Sequence, residues 1–499
     1  MHPMFAILAK PISAYRNSSR ISDWIWDVLI IGFPFVVYLR TMAPTVYGLD
    51  SAELTTGAYT LGIVHPPGSP LFLLLGNLFT YIPYGDIGYR VNLLSAVSAA
   101  LTVFFLYRLI YILIEQRVIA ISASLFFAFT YYFWISALAA ELYSLEAFFI
   151  ALSIYLAVKW AKEGQAKILY ALAFFFGLGL GNHLSLILLA PGLAWIVLHQ
   201  SRNKIRPKQI LISIGFACLG ASIYLYLPIR YAAGAALDYA HSYWDIDLTT
   251  VEGFWWMISG KAFNSLFWAH SFQDLPTQIS NFTFMLWSNF LGLGFLFGII
   301  GFIFDYKNRK SFHQGLGIMW LGYLFFYIPY GATDKEVMFL PTYLIWSIWV
   351  GLGIWAIQQF ISKRFSPPYG RIAPNLLLFL AISSLVFNFK YVDLSQDWSA
   401  RQLGQNILNN LEPDSAYFGS WKDVPILEYL QIVEGERPDV ITRNLLFMSR
   451  AESQQIAQDH LAADFPVYTS IPNWFVESRF IYNPISQCEC YQLMLRKNK

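Results

Sequence analysis

The sequence has little charge. Asp, Glu, Lys and Arg make up 13% of its 499 residues, about half the share of roughly 25% that soluble domains carry. Hydrophobic residues make up 57%, which argues against a soluble globular enzyme and against a disordered chain. The net charge is +2 and no basic tract occurs, so a nucleic-acid-binding protein is not indicated. Three cysteines are too few for a disulfide scaffold.

The scarcity of charge ends near residue 389. Residues 1–389 contain 40 charged side chains (23 Lys and Arg, 17 Asp and Glu), whereas residues 390–499 contain 24 (10 and 14). Charged residues thus make up about 10% of the first segment, which is typical of a membrane domain, and about 22% of the second, which is typical of a soluble domain. We therefore predict an N-terminal segment over 1–23, a membrane domain over 24–389 and a soluble domain over 390–499.

Long apolar runs fill the membrane domain. A spanning helix needs roughly 20 apolar residues, and eleven runs meet or approach this length, at 24–40, 91–113, 118–135, 145–160, 168–182, 183–199, 209–228, 282–304, 314–331, 337–360 and 372–389. A twelfth run at 67–82 is interrupted by Pro67, Gly68, Pro70 and Gly76. The sequence therefore predicts a polytopic helical membrane protein.

The distribution of Lys and Arg indicates the orientation. If 67–82 does not cross the membrane, the segments on the N-terminal side hold 17 Lys and Arg, and the opposite loops hold Arg90, Arg230, Lys261 and Lys335, with Arg40 at an edge. Because Lys and Arg stay on the cytoplasmic side of short loops, the N-terminus is expected inside and the soluble domain outside, at the inner membrane if the protein is bacterial. Run 67–82 is then a re-entrant or interfacial helix on the outer side.

Two carboxylates lie in the first outer loop. Asp50 and Glu53 are three residues apart and share one face if the segment is helical. Their mutual repulsion would make one of them less acidic and able to act as a general base. Alternatively, the two form a helix cap, with Asp50 as the cap and Glu53 as its return partner. Spacing alone does not decide between these roles, which are compatible.

His65 opens the run His65-Pro-Pro-Gly-Ser-Pro, whose prolines suit the first turn of the 67–82 helix. This position predicts that His65 lies at the membrane surface near Asp50. A neutral histidine there can hold a phosphate oxygen or a sugar hydroxyl. The alternative is an interfacial histidine without a partner.

Further polar residues fall at the outer ends of later spans. Glu141 and Tyr143 lie between the third and fourth spans, and Glu146 enters the fourth, where a carboxylate needs a partner or a cavity. Asn182 and His183 lie at the outer turn between spans five and six. They are candidate ligands of a bound substrate, or simply members of a capped turn.

Arg230 and Arg90 are among the few outer cations. A guanidinium there can clamp a phosphate at two points, although an arginine snorkelling to the headgroups is as common. The long outer loop 229–281 also contains stretch 250–260, which is typical of an amphipathic helix lying in the membrane interface.

These residues share one face at headgroup depth, which favours an enzyme acting on a lipid-borne substrate. A transporter or flippase of lipid-linked saccharides would place ionisable groups near the midplane of several spans. A non-catalytic glycolipid-binding protein could keep Arg230 and the tryptophans of loop 229–281 but would have no need of Asp50. Both remain alternatives.

The stretch from Asp50-Ser-Ala-Glu through His65-Pro-Pro-Gly-Ser-Pro-Leu to Arg90-Val-Asn-Leu-Leu-Ser resembles the signature of a multi-pass family that includes the plexin-domain protein O-mannosyltransferases. More broadly it is similar to the GT-C glycosyltransferases, whose first outer loop carries an acidic pair. Glu141-Leu-Tyr, Gly181-Asn-His and Leu225-Tyr-Leu-Pro-Ile-Arg follow the same pattern. The resemblance implies a GT-C-like membrane domain and covers most of the chain.

The resemblance also implies a reaction. A sugar, with a mannose-like hexose favoured, moves with inversion from a polyprenyl-phosphate donor to an acceptor hydroxyl on a protein or glycan, and protein Ser or Thr is one such acceptor. In the implied roles Asp50 is the base and Glu53 assists it. The residues expected to bind the donor phosphate are His65, Arg230, His183 and Asn182, and those expected to orient substrate are Glu141, Tyr143 and Arg90. Some GT-C enzymes use a divalent metal; Asp50, Glu53 and Glu141 are its candidate ligands, but their spacing gives weak support.

The soluble domain alternates helical stretches at 397–411, 423–433 and 452–462 with short apolar runs at 416–418, 440–441 and 466–468. This order predicts a small α/β domain with a mainly parallel sheet. No nucleotide-binding glycine loop occurs, so no cofactor is predicted. Cys488 and Cys490 are two residues apart, a spacing that disfavours a disulfide and predicts core residues.

Overall fold

The computed structural model describes residues 19–200, 205–307, 309–332, 335–365, 369 and 371–496. Residues 1–18 of the predicted cytoplasmic segment and residues 201–204, between the predicted spans 183–199 and 209–228, lie outside this range. The described helices, in chain order, are α1 Ser19–Thr41, α2 Asp50–Thr60, α3 Pro70–Thr80, α4 Ile87–Ile114, α5 Arg117–Ala128, α6 Tyr131–Ser136, α7 Leu142–Glu163, α8 Ala166–Leu180, α9 Ala190–Gln200, α10 Pro207–Ala221, α11 Tyr226–Ala232, α12 Tyr239–Trp244, α13 Val251–Ile258, α14 Leu275–Asn289, α15 Leu293–Tyr306, α16 Lys310–Tyr327, α17 Leu340–Arg364, α18 Ile372–Val392, α19 Ser399–Asn409, α20 Val424–Glu428 and α21 Arg450–Ala462.

Helices form most of each of the eleven predicted runs, although non-helical residues interrupt runs 118–135 and 282–304 and end run 314–331. Among the described residues, six helices are long and apolar enough to cross a membrane by themselves, and the bent pair α14 and α15 would make a seventh span. The remaining runs form shorter apolar helices, such as α5 and α8. Helix α3 has 11 residues, about 16 Å of length, which is too short for a hydrocarbon core of about 30 Å. The predicted class, a helical polytopic protein with a small C-terminal α/β domain, is confirmed.

Run 282–304 is not one straight helix. It breaks into α14 and α15, whose axes differ by 103°. Leu291 has φ 50° and Gly292 has φ 66°, both in the left-handed region. Because right-handed helix geometry cannot continue through such residues, the chain turns here and α15 starts in a new direction.

Helices α15 and α17 touch backbone to backbone. A Cβ atom on Gly301 would overlap the carbonyl oxygen of Trp349, and one on Gly353 would overlap that of Phe297. Membrane helices associate through such small residues because lipid provides no hydrophobic force to bring them together. The glycines thereby join α14–α15 to the core of the bundle.

The C-terminal domain contains a five-stranded sheet of order β2-β1-β3-β5-β4. Its strands are β1 Ala416–Gly419, β2 Ile441–Asn444, β3 Val467–Thr469, β4 Phe480–Ile485 and β5 Cys490–Leu495. Strand β1 is parallel to β2 and β3, as predicted. The antiparallel hairpin β4–β5 is an addition, because β5 pairs antiparallel with both β3 and β4. The sheet is therefore mixed instead of mainly parallel.

Cys488 and Cys490 form a disulfide at the turn of this hairpin, so the prediction of two unlinked cysteines was wrong. Their Cα atoms are 5.1 Å apart, within the range that a disulfide spans. The turn between β4 and β5 brings the two residues to this distance. Both side chains are also buried, as predicted.

The C-terminal domain rests on the α2 and α4 end of the bundle. After α18, the backbone N–H of Leu394 donates to the carbonyl of Thr41, 2.9 Å away. Arg401 pairs with Asp86 at 3.2 Å and also with Glu434. Since Asp86 caps α4 through the N–H of Tyr89, this network fixes the domain against the membrane helices.

We predict that Gly353→Ala destabilises the protein by about 1–3 kcal/mol, because the added methyl forces α15 and α17 apart. Thermal unfolding in detergent measures the effect. Gly317→Ala in α16 is the matched control, since its Cβ would meet no atom within 4 Å. Equal melting temperatures of the two variants would contradict the close helix contact.

Candidate functional site

Helix α2 begins at Asp50 itself. The preceding residue, Leu49, has φ 58° and provides no side-chain cap. The alternative role of Asp50 as a cap with Glu53 as its return partner is therefore wrong. Asp50 is half-buried at the first turn, whereas the Glu53 side chain is fully buried. The two carboxylates thus have different surroundings despite their spacing.

Glu53 is bonded to His65 through both carboxylate oxygens. The backbone N–H of His65 donates to Oε1 at 2.6 Å, and Nδ1 of the imidazole lies 2.5 Å from Oε2. Isolated charges are costly to bury, but a hydrogen-bonded pair is tolerated. The pair ties the segment between α2 and α3 to the first turn of α2, so the alternative of a partnerless His65 was wrong.

Asp50 is bonded to the C-terminal domain. The indole Nε1–H of Trp421 donates to Oδ1 of Asp50 at 2.7 Å. The Trp421 ring also meets the His65 ring edge to face, with centroids 5.6 Å apart. Phe263, from the loop after α13, packs on His65 in the same way at 5.8 Å. Asp50, Glu53 and His65 therefore lie together, as the sequence predicted, beneath aromatic rings from two later segments.

His65 is charged at neutral pH. Burial alone would lower its pKa, but the paired Glu53 carboxylate and the charges of Asp50 and Glu141 raise it from 6.5 to about 9. A nearby negative charge favours the imidazolium form in this way. The prediction of a neutral histidine at this position is therefore replaced by a histidine with a proton on both nitrogens.

Glu141 joins this group through the backbone next to α2. The N–H of Ala140 donates to Oγ of Ser51 at 3.1 Å, and the N–H of Glu141 donates to Oγ of Ser95 at 3.1 Å. Glu141 is close enough to His65 for their charges to interact. The structure therefore brings together Asp50, Glu53, His65 and Glu141.

Glu146, His183 and Ser185 form a second buried cluster. Ser185 donates to Oε1 of Glu146, and Nδ1 of His183 lies 3.3 Å from the same oxygen. Tyr143 faces His183 at 5.9 Å between ring centroids. Asn182 donates to the carbonyl of Leu142 at 3.0 Å, while its side-chain oxygen is buried without a hydrogen-bond partner. The carboxylate at the start of the fourth span thus has the partner that the sequence required.

The two predicted arginines bind backbone carbonyls, and Arg230 lies away from Asp50. Arg230 donates to the carbonyls of Leu61 at 2.7 Å and Thr60 at 3.3 Å, at the far end of α2. Ten residues of helix separate that end from Asp50 by roughly 15 Å. Arg90 donates to carbonyls of the 80–85 loop, including that of Thr80 at 2.8 Å. Both guanidinium groups therefore stabilise the backbone of the first outer loop by binding its carbonyl groups.

A cleft of about 330 Å³ opens beside the site, between residues 236–243 and the C-terminal domain. Glu428 and Tyr239 line it, and the Tyr239 hydroxyl donates to Oε2 of Glu428 at 2.5 Å. Burial raises the pKa of Glu428 to about 8 although the Tyr239 hydrogen bond opposes the shift, and the charge of Glu53 adds to it. The cleft therefore has a polar, partly charged lining close to the acidic pair.

The carboxylates do not form a metal site in this structure. Among the residues described, no group of three His, Cys, Asp or Glu side chains could hold a metal ion. Both oxygens of Glu53 are bonded to His65 instead. The hypothesis of a divalent metal on Asp50, Glu53 and Glu141 does not fit this arrangement.

The predicted interfacial stretch 250–260 contains α13. Val251 and Trp255 lie four residues apart and are 76% and 60% exposed, so they form one apolar face. Trp244 and Trp256 pack against each other instead, with centroids 5.4 Å apart.

Sequence reasoning missed Trp421 and Glu428. Both lie in the C-terminal domain, and Trp421 is 371 residues from Asp50. Hydrophobic patterning identifies elements but carries no signal for contacts between distant segments. The stretch before α20 has no motif that would have marked Trp421.

Comparisons with known proteins agree with the motifs. Residues 50–206 match the family model of the N-terminal domain of protein O-mannosyl-transferase TMEM260. The chain is 24% identical over 467 residues to protein O-mannosyl-transferase tmem260 of Dictyostelium discoideum, covering 83% of the chain and 56% of that protein. It is 27% identical over 438 residues to TMEM260 of Mus musculus, covering 83% and 62%. The chain thus spans less than two thirds of the length of these relatives.

Among solved structures, ArnT from Cupriavidus metallidurans, bound to undecaprenyl phosphate, is similar with a TM-score of 0.55 at 10% identity, over 95% of the chain and 98% of that protein. Its apo structure matches equally well. The fold is similar to that of ArnT, and the family model and the O-mannosyl-transferase relatives agree with the resemblance predicted from the first-loop motifs.

We predict that the melting temperature falls as pH rises through about 9. The pKa of His65 is higher in the folded protein than its ordinary 6.5, so its stabilising charge is fully present below that value and is lost as the folded group deprotonates. Thermal unfolding in detergent between about pH 7 and pH 10 tests this.

His65→Gln should remove most of this fall in melting temperature, and His241→Gln, at an exposed histidine, should leave it unchanged. An identical pH dependence in wild type and His65→Gln would contradict the charged state of His65.

Proposed function

We propose that the protein is a membrane glycosyltransferase that moves a sugar from a polyprenyl-phosphate donor to an acceptor hydroxyl at the Asp50 site. A mannose-like hexose is the favoured sugar, and a protein Ser or Thr is the favoured acceptor. The observation that carries the proposal is the half-buried Asp50 carboxylate at the start of α2, where the match to the O-mannosyl-transferase family model also begins. The GT-C fold supports the same reaction class.

The proposed step is a displacement at the anomeric carbon. Asp50 accepts the proton of the acceptor hydroxyl as its oxygen forms the new bond to that carbon. The bond from the carbon to the phosphate oxygen breaks, and its electron pair leaves with the polyprenyl phosphate. Because attack and departure occur on opposite sides, the anomeric configuration inverts. The leaving phosphate is a stable anion, so no general acid is required.

His65 is the proposed partner of the leaving phosphate. Its Nδ1 is engaged by Glu53, so Nε2–H is the ring donor that can reach a phosphate oxygen. A positive charge placed where negative charge develops lowers the barrier. Glu53 then acts through His65 by keeping it charged and oriented, whereas we propose that Glu141 and Tyr143 orient substrate.

The proposed donor and the proposed acceptor are supported by different comparisons. ArnT was solved with undecaprenyl phosphate bound, which favours a lipid-phosphate donor here, with Asn182 and His183 as further candidate contacts. The relatives are named protein O-mannosyl-transferases, which favours a protein acceptor approaching through the cleft beside Glu428. The Lys and Arg bias favours a site on the extracytoplasmic side, with the N-terminus inside.

We predict that Asp50→Asn lowers donor turnover by roughly 10²–10⁴-fold, the usual contribution of a general base. The assay follows release of polyprenyl phosphate from a panel of polyprenyl-phosphate hexoses by purified protein in nanodiscs, with donor binding measured in parallel. Asp245→Asn, at an exposed outer-loop carboxylate, is the control and should retain wild-type turnover.

Turnover that survives Asp50→Asn would move the base to another carboxylate, Glu53 or Glu141. Donor that binds wild type but is carried across the bilayer unchanged would replace the transferase with a flippase.

A further inference from the structure

Trp421 lies on a rigid turn of the C-terminal domain between β1 and α20. The Asp423 side chain holds this turn, accepting hydrogen bonds from the N–H of Ser420 at 2.5 Å and from its hydroxyl at 2.8 Å. The Tyr417 hydroxyl donates to the other oxygen of Asp423 at 2.6 Å. Hydrogen bonds within residues 417–423 therefore fix the backbone at Trp421, independently of the contacts that its side chain makes.

The indole ring is held on several sides. Phe447 packs on it edge to face at 5.2 Å between centroids, and Tyr239 does so at 6.3 Å. His65 meets it at 5.6 Å. A ring confined in this way points its single N–H donor in one direction, which is toward Oδ1 of Asp50 at 2.7 Å.

This hydrogen bond gives the two carboxylate oxygens of Asp50 different roles. With Oδ1 occupied by the indole, Oδ2 is the atom left to accept a proton from a bound hydroxyl. A general base works only within hydrogen-bond reach of that proton, and a donor on its second oxygen fixes the rotation of the carboxylate. Without the indole, the half-buried Asp50 carboxylate would rotate more widely.

We propose that Trp421 is a positioning residue for Asp50, so that the C-terminal domain completes the catalytic site. This inference rests on the proposed function, in which Asp50 is the base. Trp421 acts through Asp50 and needs no contact with the sugar or the phosphate. It also gives the C-terminal domain a role in the chemistry beyond packing over the membrane helices.

Trp421→Phe keeps the aromatic ring and removes the N–H. Hydrogen bonds to charged groups contribute about 1.5–3 kcal/mol, so we expect donor turnover (kcat) to fall roughly 10- to 100-fold. The KM for the donor should stay within about two-fold, because an interaction made only in the transition state changes kcat and not binding. The assay is the nanodisc turnover measurement described for Asp50→Asn.

Trp474→Phe is the matched control. Its indole donates to Oγ of Ser453, also at 2.7 Å, inside the same domain and away from Asp50. Both tryptophans are half-buried, so a purely structural loss should be similar in the two variants. We expect Trp474→Phe to retain kcat, and equal losses in the two variants would overturn the proposal.

A double-mutant cycle tests whether Trp421 acts through Asp50. In an Asp50→Asn background, Trp421→Phe should lower the residual turnover by less than two-fold, since the carboxylate it positions is gone. A full loss in that background would overturn the proposal, because Trp421 would then act independently of Asp50. If wild type turns over no donor, the proposed function fails, and that result is distinct from equal turnover in wild type and Trp421→Phe.

Carboxyl labelling tests the contact without turnover. A water-soluble carbodiimide with glycine methyl ester, read by peptide mass spectrometry, should label Asp50 faster in Trp421→Phe than in wild type or Trp474→Phe. Equal labelling in all three proteins would show that the indole does not restrain Asp50 and would overturn the proposal.

Discussion

The buried carboxylate of Glu53 is the constraint on which the site depends. A carboxylate with no exposed surface must be paired and hydrogen-bonded to stay charged. His65 meets this requirement with a backbone N–H and a ring nitrogen at once. That double contact fixes the path of the chain from α2 to α3. It also holds the His65 ring in place, and the rings of Phe263 and Trp421 pack on it. One ion pair therefore connects the first outer loop, the segment after α13 and the C-terminal domain.

The sequence predicted the local part of this arrangement. Asp50, Glu53 and His65 lie within one short loop, where spacing and the proline run were enough to place them together. The capping role failed because it assumed that Asp50 precedes the helix, whereas the left-handed Leu49 lets the helix include it. The phosphate role of Arg230 had no local signal to test it, because an arginine at the outer end of a span can bind helix carbonyls equally well. Its guanidinium does so at the end of α2.

The membrane architecture was predictable in outline for a similar reason. Apolar runs mark helices reliably, and most residues of all eleven runs are helical. The bend before α15 was hidden because a hydropathy average over 282–304 carries no information on backbone torsions, and only the torsions of Leu291 and Gly292 reveal it. The contact of Gly301 with α17 joins residues that are distant in the sequence, so no local pattern predicts it. The hydrogen bond from Trp421 to Asp50 is of the same kind, since the two residues are 371 positions apart.

That separation has a consequence for how the protein is made. During synthesis, Asp50 and its helix emerge early, but the indole that meets the carboxylate appears only after the last membrane helix, α18, has been completed. The membrane helices can therefore be in place while the site is still unfinished. A chain that terminates early, or a C-terminal domain that folds too late, would leave a membrane protein of normal appearance with an incomplete centre. In the proposed mechanism, the final fifth of translation thus decides whether each new molecule is competent.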